Sequence, residues 1–305
     1  MLISSSDLER QLLSLQKSST EASWGLFGPD SMLWKVNRES VVFLGAGRAL
    51  LLQLSHPLVA AAVAQHSTVL NNPLRRWHQT FSIMFKMVFG TIEQSFDAAR
   101  MLHRRHSSVQ GHLAEAIGTF TAGTPYDAND ADLVQWVHST LVETAYLVYT
   151  FAFSQLPSKE QEQFYQESSR MAGLFGLASV SLPPNWEAFR CYFDDMCQSG
   201  VLSASGSAKH LVNQLFGKGV PQWYQAVTAQ LLPPSLRTAF QLPYGKTEQL
   251  KAERAWKVVR TIHTLLPYHL RYVGPYQEAQ ARIERKTPGS ITKSINHVWI
   301  GRSTL

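Results

Sequence analysis

The chain has 305 residues, 45% of them hydrophobic and 16% charged, with 28 Lys and Arg against 22 Asp and Glu for a net charge of +6. Such a composition buries a core and excludes intrinsic disorder, and its charged fraction is low against the usual value of about 25%. Cys191 and Cys197 are the only cysteines, too few for a disulfide framework and lacking the CxxC spacing of a Cys-rich zinc site, and they fit a reducing compartment.

Taken in chain order, helical patterns dominate. Ser6-Asp7 starts a helix with Leu8, Leu12 and Leu15 at helical spacing, without the basic start and unbroken apolar core of a signal peptide. Val41 to Ala64 is the best membrane-span candidate. It carries Arg48 centrally, then Gln53, Ser55, His56 and Pro57. An intramembrane Arg is costly, so this stretch reads as buried core, with a central helix from Leu50 to Gln65 bent or started at Pro57. Asn72-Pro73 opens a second helix, Leu74 to Phe89, closed by Gly90. Phe96 to Leu113 is a third. After a break at Thr124-Pro125-Tyr126-Asp127, Asp130 or Asp132 caps Leu133 to Phe153, and Pro157-Ser158 starts a helix through Arg170. Trp186 to Ser199 follows Pro183-Pro184-Asn185 and closes at Gly200. Ser203 to Ser207 reads as a loop, and Pro233-Pro234-Ser235 opens a short helix. Thr247 to Leu266 is amphipathic and ends at Pro267. Strand alternation and Asn-Gly hairpin signals are missing. The expectation is an all-α fold, one helical domain over 1–285, with a polar and less ordered tail over 286–305.

Several chemistries have no motif here. There is no HExxH, no Glu followed three residues later by His, no G-x-S-x-G and no CxxCH. Gly45-Ala46-Gly47-Arg48-Ala49-Leu50 begins like a dinucleotide-binding GxGxxG, but Leu50 replaces the third glycine and no strand–helix–strand unit surrounds it. It reads better as glycines where the chain turns tightly into a buried helix.

Eleven histidines are the unusual resource. At about 100° per residue, Phe96, Ala99, Leu102, His106, Val109 and Leu113 share one stripe of the third helix. His106 therefore points inward from an apolar face. It is either a core histidine bonded to a carbonyl or an axial ligand to iron, since a neutral imidazole in an apolar pocket suits haem. Arg76 and Thr80 are neighbours four residues apart. They form either a solvated charge beside a hydroxyl or a pair able to hold a propionate or to bond oxygen. His56, His66 and His138 read as structural hydrogen-bonders.

Together these residues resemble the haem oxygenase family of fungal MpaB and the bacterial latex-clearing (rubber) oxygenases. The likeness runs through Gly28-Pro29-Asp30, Gly45 to Gln53, His56-Pro57-Leu58-Val59-Ala60, His66-Ser67, Arg76 and Thr80, His106 to Gly111 and Trp136 to Leu141. It covers roughly residues 24 to 270 and rests on the order and spacing of the motifs. The resemblance implies an all-α fold around one haem b, with His106, in a His-x-x-Val-x-Gly run, as iron ligand. It implies Arg76 and Thr80 as the polar pair on the distal side, in cofactor-binding and catalytic roles. The implied activity is cleavage of isoprenoid C=C bonds by O2. This chain departs from the pattern at Gln79, where the rubber-cleaving branch carries Lys, and at Gln110, where many relatives carry Arg. The catalytic base of the rubber oxygenases has no counterpart, because Val59 to Ala64 holds only Ala and Val.

The reading is thus a haem-dependent oxygenase acting with O2 on a small apolar, isoprenoid or lipid-like substrate, with Ile83 to Phe89 either lining an access route or, as the better reading, forming ordinary core. Its rivals are a non-catalytic haem sensor or carrier, and a cofactor-free helical protein that binds lipid. From Lys246 onward there are 11 Lys and Arg and 4 Asp and Glu, a net of +7, so the positive charge belongs entirely to the C-terminal fifth. No nucleic-acid motif surrounds it. The expected setting is cytoplasmic, with peripheral contact to an anionic membrane through that end.

Overall fold

The computed structural model describes residues 1–17, 22–67, 72–178, 181–217, 219–263 and 265–305. Local capping sets most helix starts. Ser31, Asn72, Thr91, Asp130, Asn185 and Ser205 each accept a bond from a first-turn N–H, and Pro57, Pro73 and Pro234 open helices where no amide partner is needed.

In chain order the helices are α1 (Ser5–Lys17), α2 (Met32–Asn37), α3 (Ala46–Leu54), α4 (Pro57–His66), α5 (Pro73–Phe89), α6 (Ile92–His106), α7 (Ala131–Ala152) and α8 (Ser158–Ala172). They continue with α9 (Trp186–Gln198), α10 (Gly206–Leu215), α11 (Gln222–Leu231), α12 (Pro234–Ala239), α13 (Lys246–His263), α14 (Tyr268–Arg271), α15 (Gly274–Ile283) and α16 (Ser290–Ile300). The fold is all-α apart from a small antiparallel hairpin, β1 (Gln110–His112) with β2 (Pro125–Asp127), in which Gly111 faces Tyr126.

α7 is the axis of the molecule. It is apolar nearly all round and places residues in every core cluster: Val142, Tyr146 and Tyr149 in the largest, Trp136 in the second, Val148 and Ala152 in the third, and Val134 and Leu133 in the two smallest. Against it lies α3. A Cβ on Gly45 would stand 2.5 Å from Thr144 Cγ2, so the backbones approach as only glycine allows. Arg48 is buried and ion-paired with buried Glu143 of α7, which also accepts from Arg190 Nη1 at 2.7 Å. Arg48 further donates to Thr144 Oγ1 at 2.6 Å and to the Leu231 carbonyl at 2.7 Å. Gln53 reaches Thr140 Oγ1 at 3.2 Å, and Trp136 Nε1 donates to the Leu52 carbonyl at 3.1 Å. The Gly-x-Gly-x-x-Leu run leads into a buried helix, as expected, and the structure adds that it packs there against α7.

The apolar stretch over Val41 to Ala64 is core. Its two halves, Ser40–Leu54 and Pro57–His66, meet at 105°, and among the described residues no single helix is long and apolar enough to cross a membrane. Ile83, Phe85, Met87, Val88 and Phe89 are likewise buried in the main cluster rather than lining a route.

Two expectations change. The third helix starts earlier, in a Thr91–Gln94 capping box, and stops at His106. Ser107 and Ser108 turn their hydroxyls back onto the carbonyls of His103 and Arg105, which ends the helix, so Val109 and Leu113 leave the stripe. The expected polar tail contains α16, docked on α5 and α15. Its buried face is partly polar: Thr292 donates to Gln277 Oε1 at 3.0 Å and Asn296 to Glu278 Oε2 at 2.8 Å, while Trp299 packs edge-on against Phe43, Phe81 and Phe85.

Replacing Glu143 by Ala leaves Arg48 buried without its counter-charge. Urea melts should show a loss of about 3–5 kcal/mol, and the double variant Arg48→Met, Glu143→Leu should regain most of it.

Candidate functional site

α5 and α6 form an antiparallel hairpin turning at Gly90-Thr91. The start of α5 is thereby set beside the end of α6, which brings Arg76 near His106 and Arg105. His106 is half-buried at the last position of its helix. Burial pushes its pKa down to about 4, and the cation of Arg76 and the ring of His103 push the same way, against Asp127. The imidazole is therefore neutral at physiological pH. A weaker backbone contribution from Ala128 works against that shift. A neutral imidazole at a helix end has a lone pair to offer a metal.

The residues after His106 hold this arrangement. Val109 donates to the His106 carbonyl at 2.8 Å, and Ala128 donates to the Val109 carbonyl at 3.0 Å. A Cβ on Gly111 would stand 2.5 Å from Tyr126 Oη, which donates to Gln65 Oε1 at 2.7 Å. His66 Nε2 lies 3.1 Å from both the Gln110 carbonyl and Tyr126 Oη. The His-x-x-Val-x-Gly spacing thus has a structural cause: a helix end, a pinned turn and a strand that passes close to Tyr126.

Arg76 is solvent-accessible at its surface, yet surrounding protein and Arg105 hold its guanidinium below the ordinary value. It makes no ion pair among the described residues. Thr80 is exposed one turn further along α5, on the same face by spacing, and its hydroxyl meets no partner among the described residues. Half-buried Trp77 and Phe81 lie beside them with ring centroids 4.2 Å apart. The group is a neutral imidazole, an uncompensated cation, a free hydroxyl and an aromatic ledge.

The other histidines stand apart. His138 is fully buried, with Nε2 3.0 Å from the Ser168 carbonyl. His56 is buried against Phe120, with its ring pushed to about 4 by burial and its Nδ1 without a partner. His66 braces the hairpin. Among the described residues no three His, Cys, Asp or Glu side chains gather as a metal site. Iron held by a macrocycle needs only one axial side chain, so a single neutral histidine is a sufficient donor. Asp127, Ala128 and Tyr126 were not foreseen, and Gly111 two residues beyond a Val was the signal for a close-packed neighbour there.

Two cavities, of about 350 and 280 Å3, lie elsewhere. The first borders the Arg48–Glu143–Arg190 group and the second borders Phe216, Gln225 and Phe240. Neither is lined by a histidine, so chemistry rather than volume favours the surroundings of His106. If Arg76 and His106 face each other as described, Arg76→Met should raise the His106 pKa from about 4, read by NMR titration of the ring. An unchanged value would separate the two groups.

No curated protein and no solved structure matches the chain. A profile of the family described as "ER-bound oxygenase mpaB/B'/Rubber oxygenase, catalytic domain" matches residues 34–261. That span holds α3 to α12 complete, including the α3–α7 seam, the α5–α6 hairpin and the His106 turn. The chain belongs to the mpaB and rubber oxygenase family, whose shared module is an oxygenase catalytic domain.

Proposed function

We propose that this chain is a haem-dependent oxygenase that uses O2 on an apolar, isoprenoid or lipid-like substrate, with His106 as iron ligand. The observation that carries the reading is the neutral His106 ring at the end of α6, beside an Arg76 cation with no ion pair among the described residues. The donor set fits haem b: a single imidazole for the iron, a guanidinium able to pair with a propionate or hold the distal side polar, and aromatic faces beside it. When bound, haem supplies the redox-active iron at which O2 is used to cleave an olefin.

The chain's own residues supply the setting. His106 presents a lone pair because burial keeps its ring neutral. Arg76 brings fixed positive charge to a site where negative charge develops on oxygen. Thr80 adds a donor one turn away. Trp77 and Phe81 offer apolar surface to a substrate of the same character. α4 carries no carboxylate, and Gln79 stands where the rubber-cleaving branch has Lys. Both departures argue for a smaller olefin than rubber, oxidised without a base from α4.

Purified protein supplied with haem should show a Soret band that is lost in His106→Ala. The affinity should stay level as pH falls from 7 and drop only as pH passes through about 4, because the depressed pKa keeps the ring neutral until then. Arg76→Ala should keep the band and slow O2 consumption with a polyisoprenoid or unsaturated lipid by roughly 10²-fold. Failure of the wild-type protein to take up haem would overturn the reading. Haem uptake without olefin cleavage would leave the carrier.

A further inference from the structure

We propose that the outward face of α13 and the turn that follows it form a docking surface for an anionic lipid membrane. The inner face of α13 is conventional: Ala252, Trp256 and His263 are buried, and Trp256 Nε1 donates to Gln230 Oε1 at 2.9 Å. The outer face of such a helix is normally polar. Here it carries Leu250, Val258 and Ile262, at 52%, 54% and 49% exposure, and continues into Leu265 at 78% and Leu270 at 60%. Five large aliphatic side chains lie exposed within 21 residues of one helix and its turn.

Charge complementarity names the occupant. Arg254 lies among these side chains on α13 and Lys257 beside them, and neither makes an ion pair among the described residues. Glu248 is engaged, accepting from the Gly245 amide at 3.0 Å and lying 4.0 Å from Lys251, which leaves Glu253 as the acid near these cations. Aliphatic tips interspersed with Lys and Arg on a convex helix match an element that lies in a lipid interface, where long basic side chains reach the headgroups while apolar ones enter the acyl boundary. A protein-binding surface has a different composition, since its centre is depleted in Lys and enriched in aromatic residues. α13 carries 5 of the 11 Lys and Arg of the C-terminal fifth against 2 Glu, so part of the bulk basicity lies on the helix that bears the exposed aliphatic row. None of these residues belongs to the His106 site, so this surface stands or falls apart from the oxygenase reading.

The test is co-sedimentation of the full chain with vesicles of phosphatidylcholine containing phosphatidylserine, and with pure phosphatidylcholine. Wild-type protein should pellet with the anionic vesicles only, and high salt should release it. The double variant Val258→Asp, Leu265→Asp should remain in the supernatant with an unchanged melting curve. Arg254→Glu with Lys257→Glu should weaken binding roughly tenfold or more. The proposal is overturned if the wild type ignores anionic vesicles or if the Asp variant binds as well as wild type. It is overturned equally if the wild type is a dimer without vesicle affinity and the Asp variant a monomer, which would assign the face to a second copy.

Discussion

The contact between α3 and α7 is the constraint on which the rest depends. α7 is surrounded by core and carries Glu143 at its middle, a charge that has no place in an apolar helix unless it is answered. Arg48 answers it from α3, and Arg190 from α9. Gly45 lets the backbones close, and Gln53 and the Leu52 carbonyl extend the contact toward the other end of α7. A one-residue slip would bury both charges unpaired, so the pair sets the register of the seam more than it adds to net stability.

From that seam the site follows by short steps. α3 turns through 105° into α4 at Ser55-His56, and the end of α4 presents Gln65 and His66 to the β-hairpin. The hairpin begins four residues after His106 and returns through Asp127 and Ala128, both of which bear on the charge state of the His106 ring. α5 supplies Arg76 from the opposite strand of the helical hairpin, with its aromatic side anchored by Trp299 of α16. The neutral imidazole thus sits where four elements end, accessible because helix ends rather than a packed helix face surround it.

Much of this was legible in residue order. Asn72, Asp130 and Asn185 are side chains that compete for backbone amides, and each marks a helix start where expected. Spacing and resemblance singled out His106, Arg76 and Thr80, and the α5–α6 hairpin brings Arg76 beside His106. Periodicity ran past the true end of α6 because Val109 and Leu113 are apolar at helical intervals, while the bonds that stop the helix come from two serines. α16 escaped notice because Thr292 and Asn296 bury against Gln277 and Glu278, and a polar interface leaves no apolar pattern. Glu143 had no local signal at all, since its partner Arg48 lies far away in sequence and only the fold joins them.

The central claim is that one histidine, oriented by the turn after α6, is the point to which iron is held. Diffraction at the iron absorption edge from crystals of the haem-loaded protein tests it most directly. The account predicts one iron peak within bonding distance of a His106 ring nitrogen. A peak against His56, His66 or His138 would contradict it.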